Sequence, residues 1–143
     1  MPVFTCEILT PYRRFYSGRA ESVTFVTHDG QIQILAGHDS LVAPVHIGQL
    51  KLVVDGKVRK ASVTEGFARV KDGRVDLFVD AAEWPEEIDR ERAEAALGRA
   101  AKRIAAETVA WRVEASRRAA ARAQTRIAVA AGEPAAPPPA SVN

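Results

Sequence analysis

Up to Val79, apolar and polar residues alternate in short runs, broken by turn residues at intervals of about eight positions. Val3–Leu9 alternates as a half-buried strand that Thr10-Pro11 ends, and Phe15 to Gly18 gives a short second segment. Ser22–Thr27 leads into His28-Asp29-Gly30, where Asp-Gly marks a tight turn, and Gln31–Leu35 alternates again. Leu41–Val45 follows Ala36-Gly37-His38-Asp39. Gly48–Val54 and Val58–Thr64 then flank Asp55-Gly56, and Phe67–Val70 and Val75–Val79 flank Asp72-Gly73, two strong hairpin signals. Thr64-Glu65-Gly66-Phe67 reads as a turn or bulge with Phe67 anchored in the core. No helix-length apolar period interrupts this series, which predicts an antiparallel β-sandwich rather than a parallel α/β sheet.

The pattern changes between Asp80 and Ala93. Pro85 with Glu86, Glu87 and Asp89 behind it predicts a helix start, because proline tolerates the first turn and carboxylates favour the positive end of the dipole. Beyond it Ile88, Ala95 or Ala96, Leu97, Ala100 and Ile104 form a narrow stripe, with Trp111, Val113, Ala120 and Ile127 on a later segment. Alanine carries most of that stripe; it favours helix strongly but removes little apolar area from water, so such helices dock weakly. Glu107-Thr108-Val109-Ala110 is the least helix-favouring stretch, and Thr108 is a candidate cap for a second helix. Gly132 and Pro134 end the pattern. The expected fold class is therefore α+β with segregated halves: a β-sandwich over residues 1–83, a two-helix hairpin over 84–131, and a disordered proline-rich tail over 132–143.

Composition narrows the chemistry. A length of 143 residues suits one ordinary domain or two small ones, and a net charge of +2 gives no general attraction to nucleic acid. Cys6 alone makes no disulfide framework, and its alternation with Phe4 and Ile8 predicts a buried thiol. No apolar run reaches the length that spans a bilayer, so membrane association is expected only through a partner. His28, His38 and His46 stand in no metal-ligand or nucleophile–base spacing, and no glycine-rich segment precedes a helix start as a phosphate loop requires. The sequence thus predicts no catalytic site and no metal site. Arg118, Arg122 and Arg126 recur at every fourth position and share a helix side. Such a row suits an acidic protein surface or a polyphosphate, or simply a solvated face.

The two halves together resemble the epsilon subunit of F-type ATP synthases. Three stretches carry the likeness: Gly30-Gln-Ile-Gln-Ile-Leu-Ala-Gly-His38 with Leu41 after it, Val63-Thr-Glu-Gly-Phe-Ala-Arg-Val70, and Val79-Asp-Ala-Ala-Glu83 followed by Ile88-Asp-Arg-Glu-Arg-Ala93. Ala36 stands where the family usually has proline, and Thr64-Glu65 where it usually has Ser-Gly.

The resemblance implies a non-catalytic central-stalk subunit of a proton-driven rotary motor, with the gamma subunit, the c-ring and the catalytic beta subunit as partners. It implies a peripheral location on the cytoplasmic face of a bacterial inner membrane, reached through the c-ring. Ring and gamma contacts fall on Asp29, Gly30 and Gln31, with His38 nearby. The helical half would restrain ATP hydrolysis by bringing Arg112, Arg117, Arg118, Arg122 and Arg126 to an acidic region of beta. Some bacterial members bind ATP as a regulatory ligand through an Ile/Leu-Asp-x-x-Arg-Ala motif, matched here by Ile88, Asp89, Arg92 and Ala93. Glu83, Arg99, Arg122 and Arg126 match further positions of that site, although Asp89 reads equally as a plain helix-start residue. Two other classes fit the residues alone: a β-sandwich adaptor with a helical dimerisation hairpin, and a basic-helix nucleic-acid-binding protein.

Overall fold

The computed structural model describes residues 2–132, so the tail expected to be disordered lies outside the described residues apart from Gly132. Ten strands come first: β1 (Phe4–Leu9), β2 (Arg14–Ala20), β3 (Ser22–Thr27), β4 (Gly30–Leu35), β5 (Leu41–Val45), β6 (Gly48–Val54), β7 (Lys57–Val63), β8 (Gly66–Lys71), β9 (Arg74–Val79) and β10 (Ala82–Glu83). A single 3-10 turn (Pro85–Glu87) and two helices, α1 (Arg90–Ala106) and α2 (Ala110–Ala131), follow.

The strands form two five-stranded sheets, ordered β2-β1-β9-β8-β5 and β10-β7-β6-β3-β4. The alternation seen in the sequence becomes their shared interior: Phe4, Cys6 and Ile8 of β1 and Val75, Leu77 and Val79 of β9 face Val23, Phe25, Leu50, Leu52 and Val63. Cys6 lies within this core, and burial, with Asp76 and Glu7 adding, pushes its thiol up to about 12. Asp55-Gly56 and Asp72-Gly73 both adopt positive φ, as the tight hairpins they close require. At β3–β4 the loop is His28–Asp29, with Gly30 already paired to Thr27.

Three expectations about the sandwich change. One strand pair, β1 with β9, is parallel, since alternation fixes a strand's faces but not the direction of its neighbour. A short strand, β10, pairs with the end of β7. Phe67 is 47% exposed: Ala68 and Val70 take the inward positions of β8, so Phe67 points outward and stacks on Phe78 at 4.9 Å between ring centroids.

The helical half also shifts. Pro85 opens a 3-10 turn, and α1 begins later, where the Asp89 carboxylate accepts from the Arg92 backbone N–H at 3.0 Å. Thr108 caps nothing; the Glu107 carboxylate instead accepts from the backbone N–H groups of Thr108 and Val109, and Val109 precedes α2 with no side-chain cap. Gly132, at φ 73°, closes α2. α1 buries Ala93 and Ala100 and leaves Ala95 exposed, while α2 buries Ser116, Ala123 and Val129. Trp111, expected on the stripe, is 67% exposed near the hairpin's tip. The helices pack on each other, and α2 lies on β6, β7 and the 3-10 turn.

Two glycines separate structural need from tolerance. A Cβ on Gly66 would land on the backbone carbonyl of Phe78, whereas one on Gly98 of α1 meets open space. Gly66→Ala is expected to lower stability by more than about 2 kcal/mol through forced separation of β8 from β9. Gly98→Ala is expected to raise that of α1 by about 1 kcal/mol. Denaturant titration of each variant checks both signs.

Candidate functional site

Docking α2 against β7 leaves a cavity of about 310 Å³ at the seam between hairpin and sandwich. Ser62, Thr64, Ala81 and Glu83 form its sandwich side; Ala96, Ala119, Arg122, Ala123 and Arg126 form its helical side. The cavity exists because the helix faces are alanine: the backbones approach, yet no side chain fills the remaining space. Arg126 spans the seam. Its Nε lies 2.7 Å from Glu83 Oε1, off the line of the N–H bond, and its Nη2 donates to Glu83 Oε2 at 3.3 Å. Both side chains are about three-quarters covered. Arg122 lines the same cavity and, among the described residues, has no ion-pair partner.

The positions of the expected nucleotide site are thus divided. Glu83, Arg122 and Arg126 come together at the cavity. Arg92 and Arg99 are exposed on α1 and do not line it; Asp89 is engaged as the helix cap, and Ile88 is half-buried in extended backbone. The arginine row divides as well. Arg118 is exposed, whereas Arg122 and Arg126 turn into the seam; Arg117 pairs with Glu114 at 3.3 Å and Arg112 reaches Glu107 at 3.8 Å.

Asp29 lies in the turn between β3 and β4, and Gly30 and Gln31 open β4, at one end of the sandwich. Here His28 and His46 meet with ring centroids 4.3 Å apart. His38, expected near this turn, follows the far end of β4, so the length of a six-residue strand, about 20 Å, separates them. It is exposed, with Nδ1 2.8 Å from the Asp39 carbonyl.

Two groupings escaped sequence reasoning. The first ties the connecting segment to the sandwich. Trp84 stacks on Phe15 of β2 at 4.2 Å, with the Arg59 guanidinium 3.8 Å over its other face and that of Arg13 5.2 Å from Phe15. Arg13 is presented by a turn in which the Thr10 hydroxyl accepts from its backbone N–H, and it reaches Glu87 at 2.7 Å and the Ala82 carbonyl at 3.1 Å. Glu87 also accepts from the Trp84 backbone N–H at 3.0 Å. A stacked ring pair contributes about 0.5–1.5 kcal/mol beyond its buried area and each cation–π contact about 0.5–1 kcal/mol at an exposed site. The second grouping is the outer face of the β1–β9–β8–β5 sheet. There cross-strand pairing sets Pro44, Phe67, Phe78 and Leu9 in one row, beside a row of Val42, Arg69, Asp76 and Glu7. Asp76, nearly buried, is held by Arg69 at 3.2 Å and Arg74 at 3.0 Å. Period-2 alternation could have flagged both rows, but it does not say which face stays uncovered.

No cluster of His, Cys, Asp and Glu among the described residues could hold a metal ion, and no helix among them is long and apolar enough to cross a membrane. The whole is a small sandwich carrying a folded-back helical hairpin, with an arginine-lined seam and a sheet face that the described residues leave uncovered. The family of ATP synthase delta/epsilon chains, by its β-sandwich domain, matches residues 3–85, and the chain belongs to that family. An ATP synthase epsilon chain of Ruminiclostridium cellulolyticum is 42% identical over 127 residues, covering 89% of this chain and 95% of that one. One of Ruminococcus albus is 37% identical, covering 91% and 98%. Among solved structures, a chain of the Euglena gracilis mitochondrial ATP synthase (OSCP/F1/c-ring) matches with a TM-score of 0.76 at 26% identity, covering 87% of this chain and 80% of that one. The protein is accordingly a non-catalytic component of ATP synthase, a membrane-associated complex.

The Arg13–Glu87 pair makes a pH prediction. The hydrogen bond from Arg13, helped by the Trp84 backbone N–H, holds the Glu87 carboxyl below its ordinary value of 4.5. A lowered folded-state value means that the contact stabilises above the unfolded value and is lost as pH falls through the folded one. With Trp111→Phe leaving Trp84 as the sole tryptophan, its emission should stay constant down to pH 4.5 and shift only below it. In Glu87→Gln that acid-dependent shift should be absent.

Proposed function

We propose that the sandwich couples the gamma subunit to the c-ring in proton-driven ATP synthesis, and that the helical hairpin is a regulatory arm that restrains ATP hydrolysis after leaving the sandwich. The observation that carries the regulatory part is the docking of Arg122 and Arg126 in the seam. In this arrangement the arginine row cannot present a continuous face to a partner. It becomes one only if α2 lifts away, and what holds α2 is the packing of small residues with one buried valine, Val129, and one ion pair, a weak set of contacts. Released, Arg112, Arg117, Arg118, Arg122 and Arg126 would meet an acidic surface of the catalytic beta subunit.

The sandwich contacts fall at its two ends. Asp29, Gly30 and Gln31 at the β3–β4 turn are assigned to the c-ring, through which the chain reaches the cytoplasmic face of a bacterial inner membrane. His38 is assigned to gamma. It leads into β5, whose exposed Val42 belongs to the bare outer sheet face, so the gamma contact at His38 continues onto Val42 and Phe67.

ATP is the proposed regulatory ligand. A cavity of about 310 Å³ with two guanidiniums and a carboxylate lies in the size range of small-molecule sites. The reading rests on Arg122 and Arg126, whose planar donors suit a phosphate chain. Arg92 and Arg99 are second members of the site that must approach from α1, and Ile88 and Asp89 from the two residues before it. Filling the seam would stabilise the docked hairpin, so ATP would oppose the inhibitory position.

Charge reversal at Arg118, Arg122 and Arg126 in the assembled catalytic head is expected to raise ATP hydrolysis severalfold. An unchanged rate would refute restraint by this row and leave the coupling role standing. In calorimetric titration of the full chain with ATP, Arg122→Ala and Arg126→Ala should each weaken binding by about tenfold, equivalent to about 1.4 kcal/mol. Equal affinity in wild type and both variants would remove the seam as the ATP site.

A further inference from the structure

α2 lies on the 3-10 turn of the connecting segment, but the ring stacking, ion pair and side-chain hydrogen bonds that fix the segment all come from the sandwich. On the sandwich side Trp84 lies between Phe15 and the Arg59 guanidinium, Glu87 is gripped by Arg13, and Arg13 also fastens to the Ala82 carbonyl. Within the segment Glu87 and Trp84 exchange hydrogen bonds: the Trp84 N–H donates to the Glu87 carboxylate and the Glu87 N–H to the Trp84 carbonyl. Trp84–Glu87 is therefore a closed turn stapled to β2 and β7, not a free linker.

The grip stops at Glu87. Ile88 and Asp89 are both extended, at φ −82°, ψ 123° and φ −81°, ψ 97°. The Ile88 N–H donates back to Pro85, while the Asp89 side chain and carbonyl are engaged forward with α1, at Arg92 and Ala93. The bonds of the turn and those of the helix meet between these two residues, and among the described residues no side-chain hydrogen bond or ion pair joins either of them to the sandwich.

We propose that the hairpin pivots at Ile88–Asp89, and that Trp84–Glu87 stays behind on the sandwich as a fixed strap. This rests on the reading above that the hairpin leaves the sandwich. It adds that the moving part begins at the Asp89 cap, so α1 departs with its N-terminus already formed. It also keeps Glu83 on the sandwich when Arg126 leaves, so the two halves of the seam separate between those side chains.

The test uses nitroxide labels on the full chain and pulsed dipolar distance measurement. One pair joins Lys57→Cys to Glu86→Cys and reports the strap; the other joins Lys57→Cys to Lys102→Cys and reports α1. All three positions are exposed, while the native Cys6 is buried and takes no label. The hairpin is released by Glu83→Gln with Arg126→Ala and, as a stronger wedge, by Ala123→Asp, which sets a carboxylate where a methyl is buried. Expected on release is an unchanged strap distance with an α1 distance longer by more than a helix diameter, ~10 Å. A strap distance that lengthens together with the α1 distance would place the pivot before Trp84, overturning the proposal while a mobile hairpin stands. An α1 distance unchanged in both release variants would overturn the mobile-hairpin reading and the pivot with it.

Discussion

The structure depends on how little apolar surface alanine can bury. The sandwich has a core of phenylalanine, leucine, isoleucine and valine contributed by both sheets, and it needs nothing from the helices to close. The hairpin has no comparable resource. Its buried positions among the described residues are Ala93, Ala100, Ser116, Ala123 and Val129, of which only Val129 removes more than a very small side chain from water. α1 and α2 therefore form readily, because alanine is the best helix former, and dock weakly, because alanine is a poor core former. The cavity at the seam is the same fact seen as volume.

Weak docking makes the few specific contacts decisive. Arg126 with Glu83 is the one ion pair the described residues place across the seam. A pair about three-quarters covered, as this one is, contributes little net energy, because desolvation offsets much of the attraction. What it supplies is position, since breaking it leaves a partly covered charge on each side. The strap works differently. Two aromatic rings between two guanidiniums bury a large flat area without asking any charge to be fully desolvated, which is why the tryptophan before Pro85 holds more firmly than the arginine on α2.

The sandwich was largely legible from alternation and from Asp-Gly pairs at 55–56 and 72–73, because each is a local rule. What failed depended on the partner across space. The turn reading of Thr64-Glu65-Gly66-Phe67 puts Phe67 in the core, but the parity of β8 gives the inward positions to Ala68 and Val70. The parallel β1–β9 pair leaves no trace in either strand. In the helical half the residue types were legible and their faces less so: Trp111 lies near the tip and is exposed, and Glu107 rather than Thr108 organises the turn. The candidate site was half legible. The family resemblance named Glu83, Arg122 and Arg126, which meet at the cavity, together with Arg92 and Arg99, which do not line it in the docked arrangement. The strap was not legible, since Arg13, Phe15, Arg59 and Trp84 come from three separate stretches.

Under the proposed reading, the same two arginines have three competing uses, and this exclusivity is what would make a switch of the hairpin. Arg122 and Arg126 face the seam in the docked state, would face a ligand's phosphates if one fills the cavity, and would face an acidic partner only after release. A ligand or partner moves such an equilibrium by its difference in affinity for the two states, not by its affinity alone. A seam ligand binds only the docked form and an acidic surface only the released form, so each has close to its full binding energy available as bias. Stronger apolar docking would shift the baseline toward the docked form and leave the acidic partner more to overcome. A leucine at position 123 would hold the hairpin down more tightly, and it would leave less room for the ligand and less reason for the arm ever to leave.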